Sequence, residues 1–540
     1  MSPPSSLTID SLPNEILFEI ISHLFVDGLY TVSTLSRRFN NLAIPHFFPY
    51  HGCSEPSKVM KIRIRCDDIT HALGTTEEMT LRRYDALAGL SIAFDVKSVE
   101  ELRCTFVPCV MFHIESSKLK TYQRLLHVLR RLERVSSLSI TFDYWKQSNV
   151  EQTRKERTEV VSGLLNACLE KGCKTLAIQH GYFVPLDGDT LKEPNKVLKM
   201  IKKLFSAPLR EGAKSATAPH STSRGNQDTN MMSLSSAARK SSRLTHLDIS
   251  SAMLLCPPCS SWTYPLLETP NLTSLTLSRV LLEKQVWEVI LPWLVPPLRE
   301  RLLELSITHC SHLPVTPLVN LVTSMKKLTH FKLIGLIPSV ENRRLRKKHL
   351  LPDLVSLHTL PDWIGFLCPN EVPRPLLESL RIVPNPRFDF GVSIRDIKPV
   401  LTNPALSRLA MNSNSSDEIT LDISAAGYTT ADWERDLQAY QDPTDRAACE
   451  SYERVTSLMF HVRMVTTEMM QQSQVICKFF GWWKNVRRIE FVSDDWTWAR
   501  RWSSIWTEEA IGELLKDAKV HCPSLQSLVV HREVYRIHED

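Results

Sequence analysis

The sequence predicts an α/β chain in which a small N-terminal helical module is followed by a solenoid of repeating strand-helix units. Three observations carry that prediction. A stripe of apolar residues at helical spacing lies near the start. Beyond it a short string recurs, reading apolar, two residues, apolar, one residue, apolar. Finally, Leu247, Leu275, Leu305 and Phe331, the central residues of four successive strings, stand 28, 30 and 26 positions apart. A period of that size marks stacked repeats, since no single unit can bury its own apolar face.

In the first module, Leu12, Ile16, Leu17, Ile20, Ile21 and Leu24 draw one apolar stripe along a helix. Pro13 suits a first turn, where its missing N–H costs no helix bond, and Glu15 sets a carboxylate near the positive end of the macrodipole. The helix is expected to start at about Pro13 and to stop before Asp27-Gly28, a turn signal. Leu29, Val32, Ser33 and Leu35 then predict a second short helix, and Phe39, Leu42 and Ala43 a third. Pro45, Pro49 and Gly52 mark the exit, which sets the module at 1–50. Three short helices enclose little interior, so a module this small needs something else to cover its apolar surface.

These residues also carry a family likeness. Leu12-Pro13, Glu15-Ile16, Ile20, Leu24, Leu29, Val32, Ser33, Leu35, Ser36-Arg37-Arg38-Phe39 and Leu42-Ala43 stand in one ungapped order, and on them the module resembles an F-box. Phe39 stands where many members carry Trp and keeps an aromatic anchor. The resemblance implies docking onto a Skp-family adaptor and through it onto a cullin ligase core. It assigns Leu12, Pro13, Glu15, Ile16, Ile20, Leu24, Leu29, Val32 and Leu35 to the adaptor interface or the small core behind it. It also implies that bond chemistry belongs to other subunits, so that this chain is no enzyme and only recruits a target protein for ubiquitination.

From 51 to 205 the strings are Val59-Ile62-Ile64, Leu87-Leu90-Ile92, Val99-Leu102-Cys104, Val135-Leu138-Ile140 and Cys173-Leu176-Ile178. Helical stripes lie between some of them, at Tyr122 to Leu129 and Val160 to Cys168, and Lys196 to Phe205 reads as another amphipathic helix. Residues 206–243 are rich in Ser, Ala, Thr, Arg and Asn and poor in large apolar residues, a composition that predicts a disordered insertion. From 244 to 540 the strings continue through Leu354-Leu357, Leu377-Leu380-Ile382, Leu406-Leu409-Met411, Val455-Leu458-Phe460, Val486-Ile489-Phe491 and Leu525-Leu528-Val530. A polar insertion near 415–450 interrupts them, and prolines such as Pro292, Pro296, Pro297, Pro314 and Pro361 read as joints between units. The pattern resembles that of leucine-rich repeats. Cys310, Asn385 and Asn414 occupy the Asn-or-Cys place of that family, while Ala252, Val280, Leu336, Asp143, Asp494 and Glu533 depart from it, which implies an irregular solenoid.

Composition narrows the function. With 43% hydrophobic and 23% charged residues the chain reads as an ordinary globular protein, without a basic-then-apolar leader or an apolar run of membrane-spanning length. Cytoplasmic or nuclear residence, with no membrane partner, is expected. The 13 cysteines form no repeated framework, so no structural disulfide is expected. A formal charge of +6 over this length does not argue for nucleic acid, which is disfavoured as a partner. Glycine, at 16 of 540 residues, is scarce, and neither GxGxxG nor a Walker-type loop occurs, so a nucleotide cofactor is not expected.

Other chemistry finds little support. Cys256-Pro-Pro-Cys259 has metal-ligand spacing, but no second CxxC or HxxxH pair follows at a finger-like distance, so no metal is assigned. HExxH and GxSxG are absent. Arg343, Arg344, Arg346, Lys347 and Lys348 form the densest basic run, read as a solvated loop ahead of an import signal or an anionic contact. Trp482, Trp483, Trp496, Trp498, Trp502 and Trp506 read as core or capping residues first and as a partner surface second. In a solenoid the strand residues between the buried positions face the recruiting surface, which makes Thr276, Ser278, Ser306, Thr308, Lys332, Ile334, Arg381 and Val383 candidates. Two other classes of function fit the same sequence: a scaffold that binds the adaptor without promoting ubiquitination, and a nucleic-acid-associated protein acting through the basic run.

Overall fold

Alternation decides the strands. In β2 (Ser98–Phe106) Leu102, Cys104 and Phe106 are buried while Arg103 and Thr105 between them are exposed, the period-two signature of a strand with one covered face. The computed structural model describes residues 9–64, 85–106, 115–142, 151–180, 232–337, 340, 351–368, 379–382, 418–424, 438, 455–461, 477–478, 480–481, 483–492, 508–530 and 533–537. The chain forms two units, Met1–Leu281 and Leu282–Asp540.

The first unit opens with α1 (Asn14–Ser22), α2 (Val26–Ser33) and α3 (Arg37–Tyr50). Two expectations are corrected here. Asp27-Gly28 is no turn; it lies in the first turn of α2, where Asp27 puts its carboxylate at the positive end of the helix dipole. Pro45 and Pro49 do not end α3, which continues to Tyr50 because Phe47 and Phe48 bury one face of it.

Strands β1 (Val59–Ile64), β2, β3 (Arg134–Phe142), β4 (Thr175–His180), β5 (His246–Ser250) and β6 (Ser274–Ser278) then pair in order, every pair parallel. Parallel neighbours require crossovers, and helices supply them. They are α4 (Ala86–Ile92), α5 (Glu115–Arg131), α6 (Glu151–Glu170), α7 (Ser236–Ser241) and α8 (Ser260–Leu267). Phe106 of β2, Phe142 of β3 and Tyr122 of α5 meet with ring centroids 4.2 to 6.0 Å apart, which fixes the buried face of these strands as the face under the helices. The string Leu87-Leu90-Ile92 forms α4 rather than a strand; its spacing also satisfies a helix, and Asp85 caps it by accepting from the Ala88 N–H at 2.8 Å. In β1, Met60 rather than Val59 joins Ile62 and Ile64 in the core.

The expected insertion at 206–243 is folded at its end: Met232 is buried, and Ala238 buries the short helix α7. Asn166 of α6 organises this segment. Its amide donates to the Ser233 carbonyl at 3.1 Å, and its oxygen accepts from the Ser235 N–H at 3.2 Å and the Trp262 indole at 3.0 Å. Residues 206–231 and the helix expected at Lys196 to Phe205 lie outside the described residues.

In the second unit β7 (Glu304–Thr308), β8 (His330–Ile334), β9 (Ser356–Thr359), β10 (Ser379–Ile382), β11 (Glu418–Ser424), β12 (Val455–His461), β13 (Arg488–Val492) and β14 (Ser527–Val530) pair in parallel order. The antiparallel β15 (Glu533–Arg536) follows on β14. Helices α9 (Lys284–Leu298), α10 (Val315–Ser324), α11 (Pro361–Leu367) and α12 (Glu508–His521) accompany the strands. Strand β11 falls inside the polar insertion expected near 415–450, where Ile419, Leu421 and Ile423 restore the alternation. Pro292, Pro296 and Pro297 are not joints but lie inside α9, whose buried Trp287, Ile290, Leu291, Leu294 and Leu298 outweigh a proline cost of about 3 kcal/mol each. Among the described cysteines, those at 53, 104, 168, 173, 256, 259, 310, 368, 477 and 522 are buried and form no disulfide. Burial pushes Cys256 up to about 12, so it is held as a neutral thiol.

Candidate functional site

Two surfaces contain the residues singled out in the sequence. The first is the N-terminal module, where the structure divides the predicted set. Leu29 is fully buried and belongs to the core with Leu17, Ile21, Phe39 and Phe47. Ile16 and Ile20, four residues apart on α1, are 48% and 46% exposed, whereas Leu17 and Ile21 beside them are 1% and 2% exposed. Pro13, Glu15 and Leu35 are exposed as well, and Leu12, Leu24 and Val32 are half-buried. Phe18 and Phe25, outside the predicted set, are also exposed, so α1, the link after it and the end of α2 offer water a concentration of large apolar side chains.

Arg38 holds the start of α1 in place. Its Nε donates to the Asn14 side-chain oxygen at 2.8 Å, and its Nη2 donates to the Leu12 carbonyl. This positioning role was legible only as part of the Ser36-Arg37-Arg38-Phe39 string. Ser36 caps α3 by accepting from the Phe39 N–H at 3.3 Å.

The module is joined firmly to the first strand-helix units. Buried Asn40 donates to the Ser33 carbonyl at 2.9 Å and the Ile92 carbonyl at 3.0 Å, and accepts from the Phe94 N–H at 3.1 Å. A Cβ on Gly89 of α4 would come within 2.3 Å of the buried Phe47 ring, so α3 and α4 touch where only glycine fits. Arg131, at the end of α5, donates to the carbonyls of Leu90, Ala93 and Val96, satisfying the open end of α4. At the other end Arg124 pairs with the capping Asp85 at 2.8 Å.

The remaining residues lie, in each unit by itself, on the strand face opposite the helices. On β6 in the first unit, Thr276 is half-buried between the buried Leu275 and Leu277, Ser278 is half-buried after Leu277, and Thr276 stands in register with Asp248. In the second unit Ser306, Lys332, His358, Arg381 and Thr420 occupy one register row across β7 to β11. Ser306, Lys332 and Arg381 are therefore brought together, and Thr308 lies one row along, opposite Ile334. His358 was missed because the string around it breaks at Thr359, which is buried where an apolar residue was expected.

A left-handed residue follows three of the strands: Arg279 (φ 53°) after β6, His309 (φ 54°) after β7 and Gly335 (φ 120°) after β8. A Cβ on Gly335 would approach the His309 backbone to 2.8 Å. Buried Cys310, in the Asn-or-Cys place of the repeat, sends its thiol toward the Thr308 carbonyl at 3.7 Å.

Val383, Asn385, Asn414, the basic run Arg343 to Lys348, and Trp482, Trp496, Trp498, Trp502 and Trp506 lie outside the described residues. Trp483 is fully buried in the core. Among the described residues no group of three or more His, Cys, Asp or Glu side chains is placed to hold a metal, and no helix is long and apolar enough to cross a membrane. No family model matches the chain, and no curated protein matches it.

Proposed function

We propose that this chain is the target-recruiting subunit of a Skp-cullin-F-box ubiquitin ligase, its N-terminal helices docking on a Skp-family adaptor and an irregular leucine-rich-repeat solenoid holding the target protein. The observation that carries the reading is the doubled stripe of α1, with Leu17 and Ile21 buried and Ile16 and Ile20 left in water. An apolar surface of that kind on a small helical module is the expected form of a partner-binding face. The strand-helix units support a recruiting surface, and the joint through Asn40 and Gly89 supports a fixed geometry between the docking module and those units.

In this reading the chain performs no bond chemistry. It contributes proximity, by raising the effective concentration of a target lysine near activated ubiquitin. The partners are the adaptor, the cullin core and a target protein, met in the cytoplasm or nucleus.

The test is capture of purified adaptor and cullin by the full chain, compared with an Ile16→Asp/Ile20→Asp variant whose fold is checked by circular dichroism. Capture by the intact chain and loss in the folded variant support the reading. Absence of capture by the intact chain removes it, and capture without ubiquitination of any bound protein in the reconstituted ligase favours the scaffold.

A further inference from the structure

The short link between α2 and α3 holds a hydroxyl unlike its neighbours. Ser22, Thr31, Ser33 and Thr34 each donate the side-chain hydrogen to a carbonyl three or four residues back, at 2.6 to 2.8 Å. Ser36 does not. Its Oγ only accepts, from the Phe39 N–H at 3.3 Å, and its own hydrogen meets no acceptor among the described residues. The residue is exposed, and its backbone is extended, with φ −158° and ψ 166°. An exposed serine of this kind offers a kinase an uncommitted hydroxyl on a strand-like segment.

The surroundings give such a modification its consequence. Leu35, 66% exposed, comes directly before Ser36, and Arg38, two residues on, holds the start of α1 through the Leu12 carbonyl and the Asn14 side chain. Ser36 therefore lies where the link meets the start of α1, beside Leu12, Pro13 and Leu35 of the proposed docking set. A phosphate there brings a charge of about −2 and three strong acceptor oxygens. Arg37 is exposed and makes no ion pair among the described residues, so it stands ready to offset part of that charge. The rest would be stripped of water beneath a partner's apolar surface, which is costly. The fold itself tolerates the phosphate, because the positive end of the α3 dipole faces it.

We infer that Ser36 is a phosphorylation site whose modification releases the chain from the adaptor. The inference rests on the docking role proposed above and adds its regulation. In the transfer the Ser36 Oγ bonds to the γ-phosphorus of ATP as the bond from that phosphorus to the ADP oxygen breaks. The hydroxyl proton passes to the base of an ATP-dependent serine kinase, and ADP leaves. A bound adaptor covers the site, so docking and modification exclude each other.

The experiment has two arms on the full chain. In the first, the chain is incubated with ATP and a eukaryotic cell extract under phosphatase inhibitors, alone or with purified adaptor bound, and phosphate is mapped by mass spectrometry. Phosphate on Ser36 in the free chain, largely absent when the adaptor is bound, is the expected result; no phosphate on Ser36, or equal amounts in the two samples, overturns the inference. In the second, phosphoserine is installed at 36 during synthesis, and adaptor affinity and the unfolding midpoint are measured. Affinity should fall about tenfold or more, with the midpoint unmoved and binding restored by phosphatase. Unchanged affinity, or a loss that follows a lowered midpoint, overturns it. Ser36→Asn keeps a capping oxygen and takes no phosphate, so its affinity should be the same before and after incubation in the extract; a fall assigns the effect to another residue and overturns it as well. Failure of the unmodified chain to bind the adaptor defeats the docking reading instead, and the phosphate map of the free chain is read independently of it.

Discussion

The two stripes of α1 are built from the same residue types one position apart, yet Leu17 and Ile21 meet the module's core while Ile16 and Ile20 meet water. The difference teaches that an apolar stripe wider than the face a helix can bury has two jobs. The buried stripe holds the module together. The exposed one covers nothing within the module, and the docking proposal assigns it to a partner.

Changes on the buried side should be felt most strongly as instability. Ile21→Ala should destabilise the first unit by about 2–5 kcal/mol, through lost burial and the cavity left behind, read as a lower urea midpoint with an unchanged slope. A comparable loss from Ile16→Ala would erase the distinction between the stripes; exposed substitutions of that kind are expected to stay within about 0.5 kcal/mol.

The joint behind the stripes comes next. Gly89→Ala should cost about 1–3 kcal/mol by forcing a methyl against the buried Phe47 ring. Hydrogen exchange should also rise together in α3 and α4 if that contact locks the module to the first strand-helix units. Exchange confined to α4 would contradict that lock.

Gly28→Ala sharpens the contrast with the opposite sign. Gly28 lies in the first turn of α2, and a Cβ there meets only ordinary contacts, 3.4 Å or more from Leu24. A gain of about 0.5–1 kcal/mol is expected, checked by thermal melting.

A smaller effect concerns acid. Burial holds His51 below its ordinary value of 6.5, and the carboxylate of Asp85 offsets this only in part. The unfolded chain then binds the proton more readily, so stability is full above 6.5 and declines as the pH falls through the lowered value. His51→Gln should flatten the acid limb of a stability profile.

Much of this architecture was legible in the sequence because alternation and period are local signals. The strands at Leu102, Leu138, Leu176, Leu247, Leu275, Leu305 and Phe331 all appear where the strings place them. Where reading failed, a tertiary partner decided. Leu87-Leu90-Ile92 satisfies both a strand string and a helix stripe, and the Asp85 cap with its Arg124 partner selects the helix. Pro45 and the prolines of α9 break helices by local rules, but the buried faces of those helices override them. The stretch after 231 is poor in large apolar residues, yet Asn166 supplies its backbone with partners that composition does not reveal. For the proposed docking face, the sequence named Ile16, Ile20 and Leu29 together, and only burial separates surface from core.

The most direct test of the account is a calorimetric titration of the full chain with a purified Skp-family adaptor, set beside Ile16→Ala/Ile20→Ala. Stability is measured on the same samples. The account predicts saturable binding by the intact chain and a loss of about tenfold or more in affinity in the variant, with its unfolding midpoint essentially unmoved. Equal affinity in the two proteins, or a variant that loses binding only because it unfolds, would contradict the claim that the exposed stripe exists for a partner.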